Sequence, residues 1–437
     1  MIQVNSNKKQ LIQILLVVSL CLFIRLLWLS FCWSTQGVEW SMESDSGSYI
    51  RPAMLMLEGK GFSFLSNGNI LYPELIRTPG YSLFLMPIIA LFQDRWLPAV
   101  VIMQIVLDAV LCGFLYYFAW RLKNRTAAWG AAIYYCMAPN LSLINMSILS
   151  ESLYSIVNAF AILLFILFYE RTAEKKQIVY PAIVIGLLFG FSTLIRPLGL
   201  HTVFGMCVLL ICINVLIIKH RVNKLKIIFT SIVLICFLVL PVGWIARNGI
   251  KADYWSISAI DYINLLFYRA AGTEAQEEGI PFEEMSWKYR LERYKVADHR
   301  DQTPAGLERG KYFKEEAKRI ILSDLPSYTM VALKGALKIM FGSHRTDFEV
   351  LFGERFGNFA TYAVYAMMMM VWPVALYGVL KEPRLLPILL YVILLIVISA
   401  GPESYSRFRV PIEPLIAIGF GFGVHEIFNM RNRYESE

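Results

Sequence analysis

The stretch KKQLIQILLVVSLCLFIRLLWLSFCW, residues 8–33, decides the fold class. Two lysines precede a run from 10 to 33 in which Arg25 is the sole charge. A membrane-spanning helix needs about 20 mostly apolar residues. The run is too long for the apolar core of a signal peptide and no small-residue cleavage site follows it, so it reads as an uncleaved anchor. Working outward, similar runs recur at roughly 97–120, 126–145, 152–169, 178–198, 200–218, 227–245, 358–380, 385–400 and 410–428. The chain of 437 residues is 57% hydrophobic and 17% charged, against about 25% charged in soluble domains. That composition excludes a water-soluble enzyme, a disordered chain and a disulfide scaffold. The expectation is an all-α polytopic membrane protein of about ten spans.

Cations flanking the spans set the orientation, because cytoplasmic turns carry excess Lys and Arg. With the N-terminus inside, the inner segments hold Lys8/Lys9, Arg121/Lys123/Arg125, Arg171/Lys175/Lys176, Lys219/Arg221/Lys224/Lys226, Lys381/Arg384 and Arg431/Arg433. The outer turns around 146–151 and 199 carry no Lys or Arg. Much of the net charge of +8 is therefore topological, and no nucleic-acid partner is expected. The location implied is the lipid bilayer, multi-pass, as in a bacterial inner membrane.

Two outer stretches are too long to be simple connectors. Residues 34–96 contain a short apolar run, 79–92, suited to an interfacial or re-entrant helix. Residues 246–328 are rich in Glu, Lys, Arg and Tyr, and 282–322 has the patterning of a small helical extracytoplasmic subdomain. Residues 329–342 are placed on the outer interface. The division expected is an N-terminal module 1–245 with its first outer loop 34–96, an outer subdomain 246–342, and C-terminal helices 343–437.

Residues able to carry chemistry cluster near the outer span ends. Asp45 opens Asp45-Ser46-Gly47-Ser48-Tyr49, where it reads either as a helix N-cap or as a general base or cation ligand. Arg77 precedes Pro79, a usual first helical residue. A cation is disfavoured at the positive end of a helix, so Arg77 reads either as snorkelling or as holding an anion such as a phosphate. Glu151 follows Ser150 in the first turn of a helix, comfortable there without function, yet able to share a pocket with Asp45. Arg196, Arg247 and Arg407 stand at the same face against the positive-inside bias, and guanidinium groups bind phosphate bidentately. Glu403 and Tyr405 precede Arg407. Arg25 and Asp108 lie inside spans and are expected to form a structural ion pair. The seven cysteines (Cys21, Cys32, Cys112, Cys136, Cys207, Cys212 and Cys236) sit in apolar runs without CxxC spacing and read as small hydrophobes. The histidines His201, His220, His299, His344 and His425 are scattered, and no nucleotide-binding glycine loop is present.

The order of these features resembles the GT-C class of membrane glycosyltransferases, which includes protein O-mannosyltransferases and aminoarabinose transferases. The resemblance is carried by Asp45-x-x-x-Tyr49, Gly59-Lys60-Gly61-Phe62, Arg77-Thr78-Pro79-Gly80-Tyr81, the Arg121–Arg125 turn, Ser150-Glu151-Ser152-Leu153, Arg196-Pro197, Arg247-Asn248 and Arg407-Phe408-Arg409-x-Pro411. It is best over residues 10–200. The resemblance implies an inverting transferase that takes a sugar from a polyprenyl-phosphate donor to an extracytoplasmic glycan, lipid or protein. By position Asp45 becomes the base or a metal-linked carboxylate, and Glu151 the second acid. A divalent metal ion held by Asp45 and Glu151 is the cofactor candidate. Arg77, with Arg196, Arg247 and Arg407, falls to the donor phosphate, and Tyr49, Lys60, Tyr81, Glu403 and Tyr405 to substrate contacts. Protein O-mannosyltransferases carry an Asp-Glu pair in the first loop, whereas Ser46 follows Asp45 here and Glu43 is displaced, which points away from a protein acceptor of that type. Two other readings remain: a lipid-linked glycan transporter or flippase, and an oligosaccharide polymerase or ligase.

Overall fold

Apolar segments in hydrocarbon must satisfy their backbone internally, and every one of the runs above is helical. The structure, a computed structural model, describes residues 2–66, 70–171, 178–217, 224–295 and 301–434. Lys175, Lys176, Lys219, Arg221, His220 and His299 lie outside the described residues. The helices are α1 (Ile2–Gln36), α2 (Gly47–Leu57), α3 (Pro79–Phe92), α4 (Trp96–Leu122), α5 (Arg125–Met137), α6 (Pro139–Asn145), α7 (Ser150–Arg171), α8 (Val179–Ile195), α9 (Leu198–Cys212) and α10 (Lys224–Ala252). After short helical segments between 260 and 293 come α11 (Pro304–Ser323), α12 (Leu325–Phe341), α13 (Arg345–Lys381), α14 (Leu386–Ser399) and α15 (Glu413–Tyr434). One antiparallel ribbon, β1 (Ser63–Leu65) with β2 (Leu71–Pro73), is added in the first loop.

Among the described residues seven stretches are long and apolar enough to cross a membrane: Lys8–Gln36, Pro79–Leu122, Ser150–Arg171, Leu198–Val215, Lys224–Ala252, Arg345–Lys381 and Ser406–Asn432. Val179–Ile195 and Pro383–Ser399 are shorter apolar helices. The 126–145 run is divided, because Ala138 is extended and Pro139 starts α6 afresh. Asn124 caps α5 by accepting from the Ala127 N–H at 3.0 Å. The amphipathic α12 buries Val331, Gly335 and Ile339 and exposes Met330, Leu333 and Leu337.

One apolar core joins the N-terminal helices to α13, α14 and α15. Small residues let backbones touch where the sequence offers them. A Cβ on Gly130 would meet the Gly421 Cα at 3.0 Å, so α5 and α15 pack backbone to backbone. Beneath this contact Arg25 Nε donates to Asp108 Oδ2 at 2.9 Å, and both side chains are fully buried. Arg25 also donates to the Cys136 and Tyr135 carbonyls and to Ser142 Oγ, while Tyr135 donates to Asp108. The expected ion pair is present with its remaining donors matched to acceptors.

A second core, residues 254–320 with Leu75 and Ile76, forms the subdomain beside the first loop. Gln302 Oε1 accepts from the Leu75 and Ile76 N–H groups, and Leu75 O accepts from Ala259. Arg247 donates to the Glu74 and Phe62 carbonyls at 2.9 and 2.7 Å. The loop that carries Arg77 is thereby fixed from α10 and from the subdomain.

Deleting one member of a buried pair leaves an uncompensated charge, at a cost of about 3–5 kcal/mol. Asp108→Ala should melt far below the wild type in detergent, and the double variant Arg25→Leu/Asp108→Leu should recover part of the loss. Recovery stays incomplete because Arg25 also serves two carbonyls. A second expectation concerns Glu74, whose carboxyl is raised by burial, with hydrogen bonds from the Arg77 backbone, Gln302 and the Ile76 backbone pulling the other way. A carboxyl raised in the folded state contributes most below its unfolded value and loses that contribution as pH rises through the folded value. Glu74→Gln should therefore gain stability relative to wild type as pH rises above the unfolded carboxyl value of about 4.3, read by thermal melting.

Candidate active site

Loop 41–46 is tied to the segment before α7 by backbone pairing and one serine. The Ile148 N–H donates to Ser41 O, Ser46 Oγ donates to Ile148 O, and Ser46 Oγ accepts from the Glu43 N–H. This tie brings Asp45 and Glu151 to one place although 106 positions separate them. On the other side, a Cβ on Gly80 would lie 2.7 Å from the Leu194 carbonyl and the Ile195 nitrogen. The missing side chain lets the start of α3 rest on the end of α8, which sets Arg77 beside Arg196. Arg407 arrives from the 3-10 segment Ser406–Ile412, which Ser155 pins through Val410 O at 3.0 Å.

Five charges meet there. Arg77 Nη2 donates to Asp45 Oδ1 at 2.7 Å, and Arg407 Nη2 to Asp45 Oδ2 at 3.4 Å. Glu151, with 1% of its side chain exposed, takes Arg196 Nη1 at 2.5 Å and Arg407 Nε on the same oxygen. Arg407 thus bridges the two acids. Tyr49 lies against Arg77 with its ring 4.6 Å from the guanidinium carbon, and its hydroxyl meets Ser150 Oγ at 2.9 Å. Arg77 also donates to Ser48 Oγ and to Tyr49 OH. Burial alone would push the Arg77 guanidinium down, but Tyr49, Asp45, Glu151 and Glu74 outweigh it and hold it above its ordinary value. Three guanidinium groups against two carboxylates leave one positive charge in a largely enclosed site.

Of the residues singled out in the sequence, Asp45, Glu151, Arg77, Arg196, Arg407 and Tyr49 converge. Asp45 is not the helix cap: Ser46 occupies that position, and the carboxylate turns to arginine. Tyr405 joins the edge, its hydroxyl accepting from Arg407 at 3.2 Å. Tyr81 is buried, donates to Gln104 and meets Tyr49 edge-on at 5.2 Å, so it supports Tyr49. Arg247 is spent on carbonyls and on Trp244, Lys60 pairs with Glu58 in the open at 2.6 Å, and Glu403 faces Arg269 at 3.8 Å.

The carboxylate pair does not fit a divalent cation as arranged, since both Asp45 oxygens and Glu151 Oε1 face guanidinium donors and Glu151 Oε2 accepts from Ser150 Oγ at 3.4 Å. Among the described residues, three or more His, Cys, Asp or Glu ligand atoms converge only at buried Cys21, Cys112 and Cys136, within 4.8 Å. These cysteines have no spacing that predicts this, because three separate helices supply them. Their recorded contacts are to Asp108, to the Ala132 carbonyl and to one another.

Sequence reasoning gave no site role to Ser48, Glu74, Arg409, Asp347 or His344, and read Ser150 only as a helix cap. For His344 a local signal existed, an acid three residues on: its Nδ1 lies 2.9 Å from Asp347 Oδ2.

No family model and no curated protein sequence matches the chain. In solved structures it is similar to the apo oligosaccharyltransferase of Archaeoglobus fulgidus, at 13% identity and TM-score 0.57 over 98% of this chain and 51% of that one. It is similar also to oligosaccharyltransferase AglB of the same organism in complex with an inhibitory peptide and a dolichol-phosphate, at 13% identity and TM-score 0.52 over 97% and 51%. The chain spans about half the length of these proteins. Identity this low carries the fold and no more: the chain shares the fold of these membrane oligosaccharyltransferases over about half their length.

Proposed function

We propose that the chain is an inverting glycosyltransferase that moves a sugar from a polyprenyl-phosphate donor to an acceptor on the extracytoplasmic face of a membrane. The observation that carries this reading is the convergence of Arg77, Arg196 and Arg407 on Asp45 and Glu151 with one positive charge in excess. A phosphodiester brings one negative charge and would balance the site. Guanidinium groups match its oxygens in paired geometry.

The chemistry follows from the leaving group. A lipid phosphate departs without a proton donor, so cations suffice where a glycosidase needs an acid. In the proposed reaction the phosphate takes the guanidinium groups of Arg77 and Arg407 from Asp45. The freed carboxylate accepts the proton of the acceptor hydroxyl. The acceptor oxygen bonds to the anomeric carbon from the face opposite the phosphate. The bond from that carbon to the phosphate oxygen breaks, and its electron pair leaves with the phosphate, held by arginine. Glu151 keeps Arg196 and Arg407 in position throughout. No step of this scheme is routed through a divalent metal. Translocation of a lipid-linked glycan is the weaker reading, because Arg25 and Asp108 are fully engaged with each other and their neighbours.

Asp45→Asn should lower transfer from a polyprenyl-phosphate sugar donor in reconstituted vesicles by at least about 10²-fold, the usual worth of a positioned base, while the protein still folds and binds polyprenyl phosphate. Transfer at the wild-type rate would remove Asp45 from the reaction. Arg407→Ala should weaken polyprenyl-phosphate binding and lower turnover by about 10²–10³-fold, as loss of a group facing developing charge does. The same preparations, assayed by product formation and by lipid-phosphate binding, test both.

A further inference from the structure

Next to the five-charge cluster lies a cavity of about 270 Å³ whose wall includes Glu43, Ser343, His344, Asp347, Tyr405 and Arg407. Arg407 borders both, so whatever fills the cavity sits beside the arginine that holds Asp45. His344 is buried and pairs through Nδ1 with Asp347, which fixes the ring so that Nδ1 carries the proton and Nε2 offers a lone pair. That Nε2 has no hydrogen-bond partner, and neither has the buried Ser343 Oγ. Glu43 has one long contact from Ser147 Oγ, at 3.4 Å. Its carboxyl is raised by burial first and by the Asp347 charge second. A ligand that donates hydrogen bonds would relieve both effects.

The wall mixes donors, the guanidinium groups of Arg345 and Arg407, with acceptors, two carboxylates and an imidazole nitrogen, and the nitrogen is the acceptor left without a donor. Buried polar groups left without partners are costly, so this side calls for donors in the ligand. A phosphate has none to give. A peptide needs more room, since pockets for drug-sized ligands run to about 300–1,000 Å³. One sugar ring, with several hydroxyl groups around its edge, meets both conditions.

Resting on the donor reading above, we propose that this cavity is the acceptor subsite and takes one hydroxyl-bearing sugar ring, with His344 Nε2 and the Glu43 carboxylate accepting its hydroxyl hydrogens. His344 and Glu43 are positioning residues for the acceptor, and Asp347 acts through His344. The ring so held lies alongside Arg407, from which Asp45 is one hydrogen bond away.

The test uses the full chain in lipid nanodiscs and two probes, polyprenyl phosphate and the methyl glycosides of a neutral hexose and of its uronic acid, read by saturation-transfer NMR. The neutral glycoside should bind and the uronate should bind more weakly, because Glu43 and His344 Nε2 call for a hydroxyl donor and a carboxylate has none to give. His344→Ala and Glu43→Gln should each weaken the neutral glycoside about tenfold, the worth of one hydrogen bond to such a group, and leave polyprenyl-phosphate binding unchanged. Arg77→Ala should do the reverse. If His344→Ala fails to fold by thermal melting, the partly exposed Asp347→Asn replaces it, with the same loss expected. Wild-type protein that binds polyprenyl phosphate but no glycoside overturns the subsite, as does glycoside binding that survives both substitutions. Wild-type protein that binds the glycoside but no polyprenyl phosphate overturns the donor reading instead.

Discussion

Arg407 stands between Asp45 and Glu151, and the loop end of the bundle is organised around that contact. Two carboxylates cannot share a site of low dielectric without cations, because each repels the other and neither is well hydrated. The chain answers with arginines from three separate elements: the start of α3, the end of α8 and the 3-10 segment before α15. Each element is then fixed by contacts that carry no charge. Gly80 sets the α3–α8 approach, Ser46 holds the Asp45 turn against Ile148, and Ser155 anchors Val410. Buried ion pairs contribute little net stability, since desolvation cancels most of the attraction. What this network provides is position: guanidinium groups already aimed, with little left to order when a ligand arrives.

Arg407 and Arg409 show how finely local geometry divides like residues. They are two positions apart in a 3-10 segment, where three residues make a turn, so their side chains leave on different sides. Arg407 reaches the two acids of the cluster. Arg409 is buried and donates to the Ile339, Met340 and Gly342 carbonyls and to Glu413, which also accepts from Tyr134. The second arginine therefore ties the end of α12 to α15 and holds the segment from which the first one projects.

What the sequence made legible follows the kind of interaction involved. Runs such as 8–33 announce helices because hydrocarbon permits few other structures. Arg25 and Asp108 could be paired in advance because an intramembrane charge needs a partner, and each was the other's nearest choice. The arginines against the positive-inside bias included the members of the cluster for the same reason. Arg247 was indistinguishable from them by this criterion, yet its partners are carbonyl groups of the first loop. Every residue has a carbonyl, so such a contact leaves no mark in composition or spacing. Glu403 failed to join for a similar reason, meeting Arg269, whose proximity only the folded chain defines, whereas Lys60 turns to Glu58 two positions back. The cysteine triplet belongs to the same class, side chains brought together by packing, whereas the His344–Asp347 pair is local, an acid three positions on.

The carboxylates that hold the arginines also bear on how a lipid phosphate would be used. To bind, the phosphate must separate ion pairs that are already formed, so much of its attraction to guanidinium is spent on that exchange and ground-state affinity stays modest. Once the bond to the sugar stretches, the departing phosphate gains negative charge while Asp45 loses its own to the incoming proton. Attraction between arginine and phosphate then rises as the competing attraction to Asp45 falls. Both changes act in the transition state and not before, which is the condition for interaction energy to raise turnover instead of merely tightening binding. A site built from arginines alone would bind the donor more firmly and gain less along the reaction. The acid at position 45 therefore accelerates the proposed reaction in two ways, by accepting the proton and by ceasing, at that moment, to compete for the cations.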